Sequence, residues 1–235
     1  MAALTSNTIA STYTGLLKTS DNGARGAEGS ADQCSDGAGN TIPLYVSATE
    51  IYAVGSGSGT SHTAFGKDCG VDLSTGTGNA LFGEGAGADL STGEHNVAMG
   101  YHALYQGTTE SDDNVAIGYN AMSGGWTSAT VNDNVSIGSG SMAGVMTNDA
   151  DGNTAVGTIS LAALTQGSGN VAIGWNAGND LTEADSNILI GVDAGDTLTT
   201  SGANVLIGRS AGQSISAGQT TTDGTVGIGH AALYS

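Results

Sequence analysis

"NVAIGYNAM" occupies residues 114–122, and the chain returns to that phrase along most of its length. "NVAMGYHAL" stands at 96–104, "NVSIGSGSM" at 134–142, "NTAVGTISL" at 153–161, "NVAIGWNAG" at 170–178, "NILIGVDAG" at 187–195 and "NVLIGRSAG" at 204–212. A catalytic site is normally built once. A phrase repeated this often describes a structural unit, and internal repeats decide the architecture before any other signal.

Anchored on the central glycine, the series is Gly66, Gly83, Gly100, Gly118, Gly138, Gly157, Gly174, Gly191, Gly208 and Gly229, at intervals of 17, 17, 18, 20, 19, 17, 17, 17 and 21 residues. Eight copies have Asn four residues before it; His62 and Thr225 are the exceptions. The residues three and one before it are mostly Val and Ile, two apart, so a strand points them to one face. β-Branched side chains suit a pleated surface. Between them lies a smaller column, Ala64 to Gly227, which points the other way and is still mostly apolar, so both faces of the strand are expected to be covered. A second small column follows three residues after the glycine. The glycine is expected to take a positive φ at a corner or to admit another backbone closely. The Asn column suggests a stacked polar ladder or a turn closed by a side-chain-to-backbone bond.

Such a unit cannot bury its own apolar faces, and stacking copies along an axis does so. The expected fold is all-β: a parallel β-solenoid or β-roll of about ten coils of 17–21 residues, built from residues 62–235. The small columns are expected to bring identical chains together, making a homotrimer about a threefold axis.

The phrase "NVAIG", followed by two free positions and a small residue, resembles the head repeat of trimeric autotransporter adhesins. That resemblance implies a trimeric left-handed parallel β-roll. The interval here is longer than the short adhesin repeat. With its longer connectors the phrase resembles repeats in bacteriophage tail fibres and other virion fibres. Residues 1–61 lack the phrase, and "TYTGLLKTSDN" (12–22) with "SDGAGNTIPLYVS" (35–47) resembles the N-terminal attachment segment of phage structural fibres. The resemblance implies a virion protein, tail fibre or capsid-decorating fibre, held to other virion proteins through residues 1–61 and mediating attachment to the host surface. "TIPLYVSATEIYAV" reads as one or two strands, and "GSGSGTS" at 55–61 as a hinge or tight connection. Lys18 and Arg25 in this segment could meet an acidic virion surface.

Composition restricts the alternatives. There are 40 glycines, one proline, and 22 acidic against 4 basic residues, a net charge of −18. Nucleic acids and anionic membranes need a basic surface, so neither is expected as a partner. Of 17 acidic residues in 61–235, only Asp68, Glu84 and Asp193 fall inside the phrase, which reads as solvated charge on connectors. The start lacks a basic segment followed by an apolar one, so no secretory signal is expected, and no apolar run approaches a membrane span. The chain ends inside the tenth phrase, which leaves no distal knob in view.

No catalytic motif, phosphate loop or metal-ligand spacing occurs around Cys34, Cys69, His62, His95, His102 or His230, so neither enzyme activity nor a cofactor or metal is expected. His62 takes an Asn-column position and reads as structural. Acidic pairs such as Asp112–Asp113 sit in connectors and read as solvated turns rather than the carboxylate pair of a glycoside hydrolase. The alternatives are a polysaccharide-depolymerising tailspike and a bacterial adhesin head. Directly after the glycine stand Tyr101, Tyr119 and Trp175, candidate surface-contact aromatics for a host glycan or protein, or shields for a neighbouring connector.

Overall fold

The computed structural model describes residues 62–106, 111–126, 130–147, 150–213, 215 and 223–233, together with the backbone of three strands before them. The chain divides into two compact units, residues 1–51 and 52–235. Lys18, Arg25 and the boundary expected at residue 61 lie outside the described residues. In the first unit β1 (Ala31–Ser35) pairs antiparallel with β2 (Thr41–Ser47).

The second unit is a parallel β-solenoid. β3 (Ile51–Val54) and ten further strands form one sheet in chain order: β4 (His62–Phe65), β5 (Ala80–Phe82), β6 (Val97–Met99), β7 (Val115–Ile117), β8 (Val135–Ile137), β9 (Thr154–Val156), β10 (Val171–Ile173), β11 (Ile188–Ile190), β12 (Val205–Ile207) and β13 (Val226–Ile228). From β4 onward every step is parallel and the repeat columns stack in perfect register, Val97 on Val115 on Val135, for example. From β5 onward the strands are three residues long, and the glycine ends each one. About nine turns connect β4 to β13, and no helix occurs among the described residues.

Four columns turn the chain, and every positive φ among the described residues falls in one of them. The ten repeat glycines have φ between +124° and +145°. The positions two and four after the glycine, and five before it, are left-handed as well, whether occupied by Gly, Asn, Asp or bulkier residues such as Ile159 (φ 51°) and Leu161 (φ 48°). At the glycine corner both expected jobs coincide: a Cβ built on Gly118, where φ is +136°, would lie 2.6 Å from the carbonyl oxygen of Gly138 in the next coil. Only glycine tolerates that corner and that approach together.

The interior differs from expectation in one respect. The small column within the strand and the one three residues after the glycine both point into the coil's own core: Ala98, Ala103, Ala116, Ala121, Ala172 and Ala177 are fully buried. They are therefore not free to line a threefold axis. The larger Val and Ile columns face outward instead. A core this narrow is filled by trading volume. Where the inward strand residue is Leu, the residue four after the glycine is Gly: Leu81 with Gly87, Leu189 with Gly195, Leu206 with Gly212. Where it is small, a large side chain takes that place in several coils, as in Ala98 with Leu104, Ala116 with Met122 and Ser136 with Met142; Ala64 and Ala172 instead stand with Gly70 and Gly178, where Leu81 of the next coil, and Leu161 with Leu189 of the flanking coils, reach in. Leu90, Leu164, Leu181 and Leu198, seven residues after the glycine, complete the packing; in the coils begun by Gly118 and Gly138 the buried side chain moves one residue on, to Trp126 and Met146.

The Asn column forms a continuous buried ladder. The backbone N–H and Nδ2 of Asn96 donate to Oδ1 of Asn79 at 2.8 and 3.1 Å. Asn114, Asn134, Asn153, Asn170, Asn187 and Asn204 repeat this step, each on the Asn before it. The same Nδ2 groups satisfy connector carbonyls, as from Asn114 to Val131 at 2.7 Å. His62 heads the ladder, its Nδ1 3.4 Å from both nitrogens of Asn79, in the structural role expected of it. A buried amide left unpaired costs ~1–3 kcal/mol, so a column with every donor and acceptor matched fixes the register of the coils.

Candidate functional site

Three surface features could carry function: the outward sheet face, the column after the glycine corner, and the acidic connectors. The outward face consists of the positions three and one before each glycine. Across β4–β13 these are twenty positions, eighteen of them Val, Ile, Phe, Met or Ala, two Thr, and none charged. None of them is buried, and Phe65, Met99, Ile137, Ile173, Ile188, Val226 and Ile228 are classed among the exposed large apolar side chains. Phe65 and Phe82 stack on each other with ring centroids 5.4 Å apart. An uncharged stripe this regular stands apart on a chain of net charge −18.

The column after the corner holds the aromatics singled out in the sequence. Tyr101 and Tyr119 sit one coil apart with rings parallel within 9° and centroids 5.4 Å apart. Trp175 stands in the same column three coils beyond Tyr119, with Ser139 and Thr158 between them, so the fold aligns the three but does not bring Trp175 into contact with the tyrosines. His102 and Tyr105 extend the stack behind Tyr101, at 3.9 and 4.0 Å between successive centroids. These two were not singled out; only the left-handed turn at His102 folds its ring back against both tyrosines.

The connector carboxylates do more than solvate the surface. One oxygen of Asp112 accepts the backbone N–H of Glu94 at 2.7 Å; Asp151 takes that of Asn132 at 2.6 Å, Asp185 that of Ser168 at 2.7 Å and Asp223 that of Gly202 at 2.8 Å. Each caps the coil before it, six residues ahead of its glycine. The signal was visible as Asp112, Asn132, Asp151 and Asp185 recurring at that position.

Electrostatic perturbation is slight. Burial holds His62 below the usual histidine range. Burial raises the carboxyl of Asp196, and the charges of Asp193 and Asp180 add to it, partly offset by the amide of Gln213 and the N–H of Thr197. Burial, then the charge of Asp72, raises Asp89. Among the described residues no group of three or more His, Cys, Asp or Glu side chains is placed to hold a metal ion. No helix among them is long and apolar enough to cross a membrane.

The fold and this surface define a class: a repeat protein built as a parallel β-solenoid, with one apolar sheet face and an aromatic column beside it. Comparison with protein-family models, curated proteins and solved structures gives no match for this chain.

Proposed function

We propose that the chain is a non-enzymatic structural protein of a bacteriophage virion, a homotrimeric fibre or spike held to other virion proteins by residues 1–61 and contacting the host surface along its solenoid. The observation that carries the proposal is the outward face of β4–β13: twenty positions without a charge, left partly or largely exposed by a single chain. Its natural occupant is another copy of the same rod. Only a partner with the same coil spacing can match a stripe that repeats at every turn, and closed symmetry buries the same face on each copy. The stiffness of a stacked solenoid suits a fibre, and three identical weak surface contacts on one rod gain by avidity. The resemblance of residues 12–47 to phage attachment segments supplies the anchor.

Light scattering of the native chain is expected to give about three times the protomer mass of 22.9 kDa. Asp or Lys at Ile137 and Ile173 is expected to release folded monomers. Immunoblotting of virions made from the encoding genome is expected to detect the chain, and to lose it when residues 1–61 are deleted. A monodisperse folded monomer removes the trimer; absence from virions removes the fibre.

A further inference from the structure

The column after the glycine corners is held in register by the backbone. The N–H of Gly140 donates to the carbonyl of Tyr119 at 2.9 Å, that of Ile159 to Ser139 at 2.9 Å and that of Asn176 to Thr158 at 3.1 Å. Tyr119 gives one ring face to Tyr101. Its other face looks along the axis toward Ser139, whose hydroxymethyl group is too short to cover a phenol ring. Exposure follows: Tyr101, flanked by Tyr119 and His102, is 42% exposed, whereas Tyr119 is 57% exposed. Beyond Ser139 come Thr158 and then Trp175, 51% exposed. Three steps of a parallel sheet span about 14 Å. The result is a shelf with an aromatic residue at each end, two exposed hydroxyl residues between them, and no charged residue in that run of the column.

We propose that the shelf from Tyr119 to Trp175 binds an uncharged pyranose of a surface glycan. The proposal rests on the adhesive reading above and names its ligand class. A pyranose presents an apolar C–H face and a rim of hydroxyls. The free face of Tyr119 matches the first, and the hydroxyls of Ser139 and Thr158, each able to donate and accept, match the second. The length seats one ring on Tyr119 and leaves room for the neighbouring units of a short oligosaccharide. Charge selects against acidic sugars: the chain carries −18, and its field disfavours an anionic glycan. A single aromatic face binds weakly, so the contact becomes useful when repeated on every copy of a multimer.

The test is saturation-transfer NMR on the full-length chain with methyl β-D-glucopyranoside, methyl β-D-galactopyranoside and methyl α-D-mannopyranoside, and with sialyllactose as the anionic arm. Transfer to the ring C–H protons of at least one neutral pyranoside is expected, lost in Tyr119→Ala and kept in Tyr119→Phe, with an unchanged circular dichroism spectrum in both. Absence of transfer from every neutral pyranoside, transfer undiminished by Tyr119→Ala, or a stronger signal from sialyllactose overturns the proposal. Immunoblotting of virions separates the two readings. A chain present on particles without a sugar signal removes the shelf alone; a chain absent from particles with a sugar signal removes the fibre alone.

Discussion

At the scale of the residue, the left-handed corners set the terms. Gly, Asn and Asp enter that region at little cost, whereas a β-branched side chain there is strained by ~1–2 kcal/mol. Ile159 is such a residue, with φ of 51°, in a column where the adjacent coils carry Gly140 and Asn176. Ile159→Asn is expected to stabilise the chain by ~0.5–1 kcal/mol in chemical denaturation. Destabilisation would show that its contacts outweigh the strain. Asp196 is a second case. Its raised carboxyl means that the folded chain holds the proton more tightly than the unfolded one. The group therefore favours folding most below the ordinary carboxylate pKa and loses that contribution as pH rises through the raised folded value. Asp196→Asn is expected to melt higher than the parent at pH 7, with the difference closing toward about pH 4. A constant difference across that range would assign the effect to packing instead.

At the scale of the coil, strand, corner and core are coupled. A Cβ at Gly118 meets both a forbidden φ and the carbonyl of Gly138; at Gly229, φ is +124° but nothing among the described residues lies within 4 Å of the added carbon. Gly229→Ala is expected to cost ~1–3 kcal/mol from backbone strain alone. Gly118→Ala should cost clearly more, and equal losses would mean that close approach contributes nothing. The volume trade inside the coil gives a paired test. Ala98→Leu overpacks against Leu104 and is expected to cost ~1–3 kcal/mol. Adding Leu104→Gly, which reproduces the Leu81 and Gly87 pairing of the preceding coil, should recover most of that loss. Additive losses in the double variant would refute the trade.

At the scale of the whole molecule, near-equal coils make the solenoid unit modular. Deleting residues 171–187 removes one 17-residue repeat and sets Ile188 where Val171 stood, directly after Asn170. Nearest-neighbour stability predicts a folded solenoid with a single transition within a few degrees of the parent. Deleting 171–178 alone, which breaks the register, should unfold the following coils. The repeat made this architecture legible: Asn, a β-branched alternation and Gly at a fixed interval spell strand and corner. The facing of the strand was less legible. Large residues usually mark the inside, yet Val115 and Ile117 face out while Ala116 faces in, because the space within one coil is too narrow for two large columns. The left-handed turns at Leu104, Met122 and Leu161 were hidden for another reason: nothing in a Leu or Met announces a positive φ. Tyr101 and Tyr119 could be aligned from the interval alone, but the ring of His102 behind them could not.

The asparagine ladder has a direction. In every step the earlier coil supplies the carbonyl oxygen and the later coil supplies the N–H groups, from Asn79 through to the N–H of Thr225 on Asn204. The sheet beside it has little net dipole because its own groups alternate. The side-chain carbonyls do not alternate; they all point toward the carboxyl-terminal coil, so their dipoles add. The ladder is thus a polar line as well as a fastening of the coils. On the side-chain carbonyls alone, its amino-terminal end is the positive pole and its carboxyl-terminal end the negative one. Ladders set tip to tail would extend that line, and ladders set tip to tip would place like poles against each other.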